Sequence, residues 1–248
     1  MMQGIICSDR KAFPVTRECA YLSQLLAVYK NEKDNWSYHT HDYFDSKQHF
    51  HEYHGRIVAD YMDHIRSRWG EGLIVQKQPV MVKYFPELLE FFPASKFLVM
   101  VRDPRDAIAS QFVRYAGRPM GADRNVLKFL QLYVDRYRRV LGLRESFGDR
   151  LLYVFYEKLV SNSADMLPAI RRHTSLDIPW DYETSTWVSK RPPDDESASP
   201  LDGKTISSSS IGNYKAVLVD EEITKIERNR DKINTMFGFD VFLADKYS

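Results

Sequence analysis

A chain of 248 residues with a formal net charge of +1, 44% hydrophobic and 28% charged residues, has the balance of a folded α/β domain and is too apolar for a disordered one. Its near-zero charge excludes a global attraction to nucleic acid or anionic membrane, so any anion site must be local. Cys7 and Cys19 are too few for a disulfide framework and fit a reducing compartment. No apolar run reaches the ~18 residues of a membrane span. Met1–Cys7 is short and lacks the basic flank of a secretory leader, so the expectation is one cytoplasmic domain over residues 1–248.

In chain order, Met1–Cys7 reads as the later turns of a helix, with no strand and no Gly-rich phosphate loop ahead of it. Thr16 is an N-cap candidate for a helix with the apolar stripe Tyr21, Leu22, Leu25, Leu26 and Tyr29, and Glu18 falls in its first turn. Residues 31–70 are rich in aromatic residues and histidines: His39, His41, His49, His51, His54 and His64. Their spacing admits a metal reading. No cysteine accompanies them, and Ile57, Tyr61, Met62, Ile65 and Trp69 share a helix face, which favours packing and an expectation of no metal.

Leu73–Pro79 reads as a short strand, with Lys77 at its carboxyl end and Pro79 stopping the ladder. A helix is predicted over Val80–Phe91. The continuous apolar run Phe97–Val101 predicts a central parallel strand. It turns at once into a helix, because Asp103 offers a capping oxygen, Pro104 suits the first helical position and Asp106 adds charge to the first turn. Arg102 stands at the strand's carboxyl end, where open α/β sheets bind ligands. Ser110 and Arg114 follow eight and twelve residues later, one turn apart on one helix face. Two guanidiniums and a hydroxyl near a helix start form a phosphate site; a well-capped connection with a solvated basic face is the plainer reading.

A long amphipathic helix is predicted over Asn125–Phe147, with Leu127, Leu130, Val134, Tyr137 and Leu141 inward and most of its arginines outward. Leu151–Phe155 is a further strand, and Tyr156 at its end is a ligand contact or a packing residue. Met166–His173 continues as helix, followed by Ile178-Pro-Trp180. Residues 190–210, rich in Pro, Asp and Ser, read as a mobile loop. The loop runs into Ser207-Ser-Ser-Ser-Ile-Gly-Asn-Tyr-Lys215, where Gly212 permits close backbone approach and Lys215 can meet a phosphate. A helix over about 220–237 closes the pattern.

The stretch from Lys96 to Ser110 resembles the 3′-phosphate-binding segment of sulfotransferases that use 3′-phosphoadenosine 5′-phosphosulfate (PAPS). Arg102 and Ser110 match that family's Arg and Ser in type and spacing, and Arg114 matches a further Arg of the tyrosylprotein branch. Glu18 resembles that branch's Glu, the base on the acceptor hydroxyl. Lys77 resembles the Lys of a Lys-x-Pro element that stabilises charge on the transferring group, and the separations of Glu18, Lys77 and Arg102 are similar too. Tyr156-Glu-Lys-Leu resembles a Tyr-Glu-Asp-Leu element whose Tyr contacts the nucleotide. Ser207 to Lys215 resembles a late Ser-x-x-x-Gly-x-Trp-Lys-like loop over the cofactor, with Tyr214 where Trp is commoner.

The resemblance implies a three-layer α/β sandwich with a central parallel sheet, related to nucleotide kinases. Residues 31–70 would be a helical acceptor-side cap and 190–215 a cofactor-covering loop. It implies PAPS as co-substrate, no metal, and sulfuryl transfer to a small-molecule, carbohydrate or peptide acceptor. In family members a strand and a Pro-Arg-Ser-Gly-Thr-Thr-like loop would stand immediately before Met1. The expectation is an N-terminally incomplete sequence, the alternative a diverged member without the loop. Two other functions stay open: an inactive remnant or binding module, and a small-molecule kinase, which would need a Gly-x-x-x-x-Gly-Lys-Ser/Thr loop and a Mg²⁺ carboxylate.

Overall fold

The computed structural model describes residues 2–9, 11–12, 20–70, 72–116, 124–178 and 207–247. They fall into two units, residues 1–95 with 176–204 and residues 96–175 with 205–248.

The first unit is helical. Helix α1 spans Met2–Ile6, α2 Tyr21–Asp34, α3 Lys47–Trp69 and α4 Phe85–Phe91. Ser46 caps α3 by accepting from the His49 N–H at 3.0 Å, and Gly70, at φ +90°, ends it. On α3 the buried stripe is His54, Val58 and Met62, flanked by Ile57, Tyr61 and Ile65. It packs on Leu22 and Leu26 of α2 and on Met81. Each aliphatic side chain buried there contributes about 1.5–3 kcal/mol. The strand expected over Leu73–Pro79 is reduced to a single parallel bridge between Ala12 and Leu73. Pro79 then opens a 3₁₀ turn over Pro79–Tyr84, so the expected helix over Val80–Phe91 becomes α-helical only at Phe85.

The second unit holds the parallel pair β1 (Phe97–Val101) and β2 (Leu151–Phe155), in register from Phe97 with Leu151 to Val101 with Phe155. Helix α5 (Pro104–Tyr115) follows β1, and its cap is as predicted: Asp103 accepts from the Arg105 N–H at 2.9 Å. Next come α6 (Val126–Gly142) and α7 (Arg144–Phe147), then after β2 come α8 (Tyr156–Ser161) and α9 (Ser163–Thr174). The carboxyl-terminal part carries α10 (Tyr214–Val217), α11 (Asp220–Glu227), α12 (Arg230–Phe237) and α13 (Ala244–Tyr247). Val101, Ile108, Phe112, Phe129, Tyr133, Ile226 and Phe237 share one core.

Two long helices of the sequence reading are interrupted. The Asn125–Phe147 helix breaks after Gly142, a poor helix former, where the Leu143 N–H turns back to the Val140 carbonyl at 3.1 Å. The 220–237 helix breaks at Arg228–Asn229, between α11 and α12. On α6 the buried face is Val126, Phe129, Leu130, Tyr133 and Val140, whereas Leu127, expected inward, is exposed.

Candidate active site

The parallel register builds the centre of the site. Val101 pairs with Phe155, so the next residues, Arg102 and Tyr156, leave their strands side by side. The Arg102 guanidinium lies 4.5 Å from the centroid of the Tyr156 ring, a cation–π contact. One residue further, the Asp103 N–H donates to Oε1 of Glu157 at 2.8 Å. The Arg102 carbonyl accepts from the Tyr133 hydroxyl at 2.8 Å, and that of Met100 from Tyr137 at 2.5 Å, so α6 braces the end of β1.

The 207–215 segment meets this strand end. Ser207 caps the 3₁₀ turn Ser208–Ser210, its Oγ accepting from the Ser209 N–H at 3.1 Å. Nη2 of Arg102 donates to the Ser210 carbonyl at 2.9 Å. Asp106 accepts from the N–H groups of Gly212 and Tyr214, each at 2.9 Å. Lys215 pairs with Asp245 at 3.2 Å, and the Tyr214 hydroxyl donates to the same carboxylate at 2.8 Å.

Behind these lies a buried ion network. Asp103, with no exposed surface, accepts from Nε and Nη2 of Arg105 and from the Ala244 N–H. Arg105, itself fully buried, donates through Nη1 to Glu227 at 2.9 Å and Asp245 at 2.8 Å. A buried guanidinium needs such partners, since an unpaired one costs several kcal/mol. Burial raises Asp245, but the bonds from Arg105, Tyr214 and Lys215 outweigh it and hold the carboxyl at about 2. Burial pushes Asp106 up, opposed by the Tyr214 and Gly212 amides and the Arg102 charge. Glu157 is pushed up to about 7, chiefly by burial, with the Asp103 N–H and Arg102 pulling the other way.

Two buried polar atoms at this strand end have no hydrogen-bond partner among the described residues: Nε of Arg102 and Oε2 of Glu157. A buried charged donor left unbonded costs about 1–3 kcal/mol or more, and an anionic oxygen would remove that cost. A guanidinium clamped by an aromatic ring and a carbonyl, with its buried Nε–H open among the described residues, fits a phosphate group.

The model of the Sulfotransferase family matches residues 7–182, well over half the chain. The chain belongs to the sulfotransferase family. The match takes in Glu18, Lys77, Arg102, Ser110, Arg114 and Tyr156 and stops before Ser207 and Lys215. The chain is 28% identical over 128 residues to a protein-tyrosine sulfotransferase of Drosophila melanogaster, in an alignment covering 50% of this chain and 25% of that one. The matched stretch thus spans about a quarter of that relative's length. Its fold is that of the sulfotransferase domain of the Synechococcus PCC 7002 olefin synthase, with a TM-score of 0.56 at 17% identity over 91% of this chain and 88% of that one. The sulfotransferase domain from the curacin biosynthetic pathway gives 0.54 at 15% identity over 96% and 93%. The α/β sulfotransferase fold expected from the sequence is therefore present.

The structure brings Arg102 and Tyr156 together and seats the 207–215 segment against them. Ser110 and Arg114 lie one turn apart on α5, both exposed, as the spacing predicts, with Arg114 5.9 Å from the Tyr115 ring. Lys77 is exposed in the first unit, on an extended stretch before Pro79. Glu18 lies outside the described residues, as do Trp180 and residues 190–206. In the His-rich segment, His51 Nδ1 is 2.9 Å from the Tyr29 hydroxyl, and the ring stacks on Phe91. His54 is buried, which lowers its pKa. Among the described residues no three His, Cys, Asp or Glu side chains converge as a metal set.

Sequence reasoning missed Arg105, Glu157 and Asp245. Arg105 stands next to a predicted N-cap and Glu157 next to a predicted ligand residue, which were the available signals. Asp245 carries none, because its partner Arg105 lies 140 residues away.

Proposed function

We propose that this sulfotransferase moves a sulfuryl group in line from PAPS to a hydroxyl or amine acceptor, releasing adenosine 3′,5′-bisphosphate. The supporting observation is Arg102, half-buried at the end of β1, gripped by Tyr156 and Ser210 and left with a buried open donor, its Nε–H, among the described residues. In this reading Arg102, Ser110 and Arg114 hold the 3′-phosphate, and Tyr156, Ser207 and Lys215 close over the nucleotide.

In the transfer, the bond from sulfur to the 5′-phosphate oxygen breaks as the acceptor oxygen or nitrogen bonds to sulfur. Glu18 takes the acceptor's proton. Lys77 stabilises the charge that develops on the bridging oxygen, the kind of electrostatic help that dominates group transfer. Residues 31–70 serve as the acceptor-side cap and 190–215 as the cofactor cover of one cytoplasmic domain. The Drosophila relative's name makes a peptide tyrosine the first acceptor to try, ahead of small-molecule and carbohydrate hydroxyls. Incubation with PAPS and a tyrosine peptide or a simple phenol tests the reading. Sulfated acceptor and bisphosphate should form in equal amounts; no sulfated product from any hydroxyl or amine acceptor contradicts it.

A further inference from the structure

We infer that Asp106 is a positioning residue: its carboxylate pins the turn Gly212–Tyr214 and thereby holds Arg102 and the 207–215 segment in nucleotide-binding geometry. The inference rests on the donor reading above and adds a residue to it.

Asp106 stands in the first turn of α5, where an acidic side chain ordinarily serves its own helix. Here it serves a segment more than a hundred residues away. It is 1% exposed, and each oxygen accepts one backbone N–H, Oδ2 from Gly212 and Oδ1 from Tyr214, both at 2.9 Å. Two amides two residues apart converge on one anion because Gly212 sits at φ +73°, a conformation cheap only for glycine. Arg102 grips the same segment just ahead of that turn and by its opposite polarity, donating to the Ser210 carbonyl of the 3₁₀ turn Ser208–Ser210 at 2.9 Å. The strand–helix connection thus holds the 207–215 segment at three points, Ser210, Gly212 and Tyr214, and Lys215 follows directly.

Docking of the turn and satisfaction of Asp106 are therefore one event. With the turn away, Asp106 loses both bonds and Arg102 loses one of the two contacts that orient its guanidinium among the described residues, keeping only the Tyr156 ring. A buried carboxylate without partners is costly, so the charge favours the docked turn before any nucleotide arrives. A nucleotide then meets a preformed site, and its apparent affinity falls by the docked fraction when the turn is released.

Asp106→Asn keeps the shape but leaves one acceptor for two amides. The test compares it with the wild type and with Ile170→Val, a core substitution on α9 of the same unit. Three quantities are measured: melting temperature, amide hydrogen exchange by residue, and affinity for adenosine 3′,5′-bisphosphate by calorimetry. In Asp106→Asn, protection at Gly212 and Tyr214 should drop while β1 and β2 keep theirs, and nucleotide affinity should fall about tenfold or more. Ile170→Val should lower the melting temperature and leave affinity unchanged. Retained protection in Asp106→Asn, lost protection with unchanged affinity, or an equal affinity loss in Ile170→Val each overturns the inference. Should Asp106→Asn not fold, Gly212→Ala strains the same turn from the segment's side, with the same expected and contrary results. A wild type that does not bind the bisphosphate overturns the donor reading and the nucleotide half of this inference; exchange alone then decides whether Asp106 pins the turn.

Discussion

Replacing Glu157 by Gln should make the protein more stable at neutral and alkaline pH. Glu157 is fully buried at the start of α8, with Oε1 taking the Asp103 N–H and Oε2 unbonded among the described residues. Its carboxyl is raised from the ordinary 4.5 to about 7. A raised carboxyl binds its proton more tightly in the folded state. Below pH 4.5 both states are protonated and nothing is lost. Between pH 4.5 and 7 the unfolded chain ionises first, so stability falls as pH rises. Above pH 7 the full penalty stands, about 3 kcal/mol for a shift of this size. Gln keeps the acceptor for Asp103 and carries no charge. Urea unfolding from pH 4.5 to 8.5 should show the two proteins converging at the acid end and Gln ahead by about 3 kcal/mol at the alkaline end. Parallel curves, or Gln the less stable at pH 8.5, would refute the assignment.

Arg105→Ala leaves Asp103 buried without its charge partner and should cost about 3–5 kcal/mol of stability in urea melts; a loss below about 1 kcal/mol would show that the network carries little. Tyr156→Leu removes the ring beneath Arg102 and should weaken bisphosphate binding by about tenfold, a result that unchanged calorimetry would contradict. Lys77→Ala should lower kcat by about a hundredfold or more with bisphosphate affinity within about twofold, since Lys77 is assigned to the transferring group. Loss of nucleotide binding instead would move Lys77 into the nucleotide site.

That Arg102 and Tyr156 each end an apolar strand could be read from the sequence. That these two strands pair in parallel, and so set the two side chains beside one another, could not, because the pairing joins residues over fifty positions apart. The α5 cap was legible because Asp103, Pro104 and Asp106 act within one turn. Asp106's actual partners were not, since capping logic sees only the neighbouring helix and its amides come from Gly212 and Tyr214. Arg105 looks like a solvated first-turn residue until Glu227 and Asp245 are folded against it. The broken helices have a local cause that periodicity overlooks, Gly142 in one case. Leu127 was misplaced because Leu130 and Tyr137 also fit a stripe turned slightly away from the buried one, which Phe129 and Tyr133 define.

The most direct test of the account is a calorimetric titration of the wild type and Arg102→Ala with adenosine 3′,5′-bisphosphate. The wild type should bind one equivalent, and Arg102→Ala should lose about a hundredfold or more in affinity while its urea melt stays cooperative. Equal binding by both proteins, or no binding by the wild type, would contradict Arg102 as the anchor of the nucleotide.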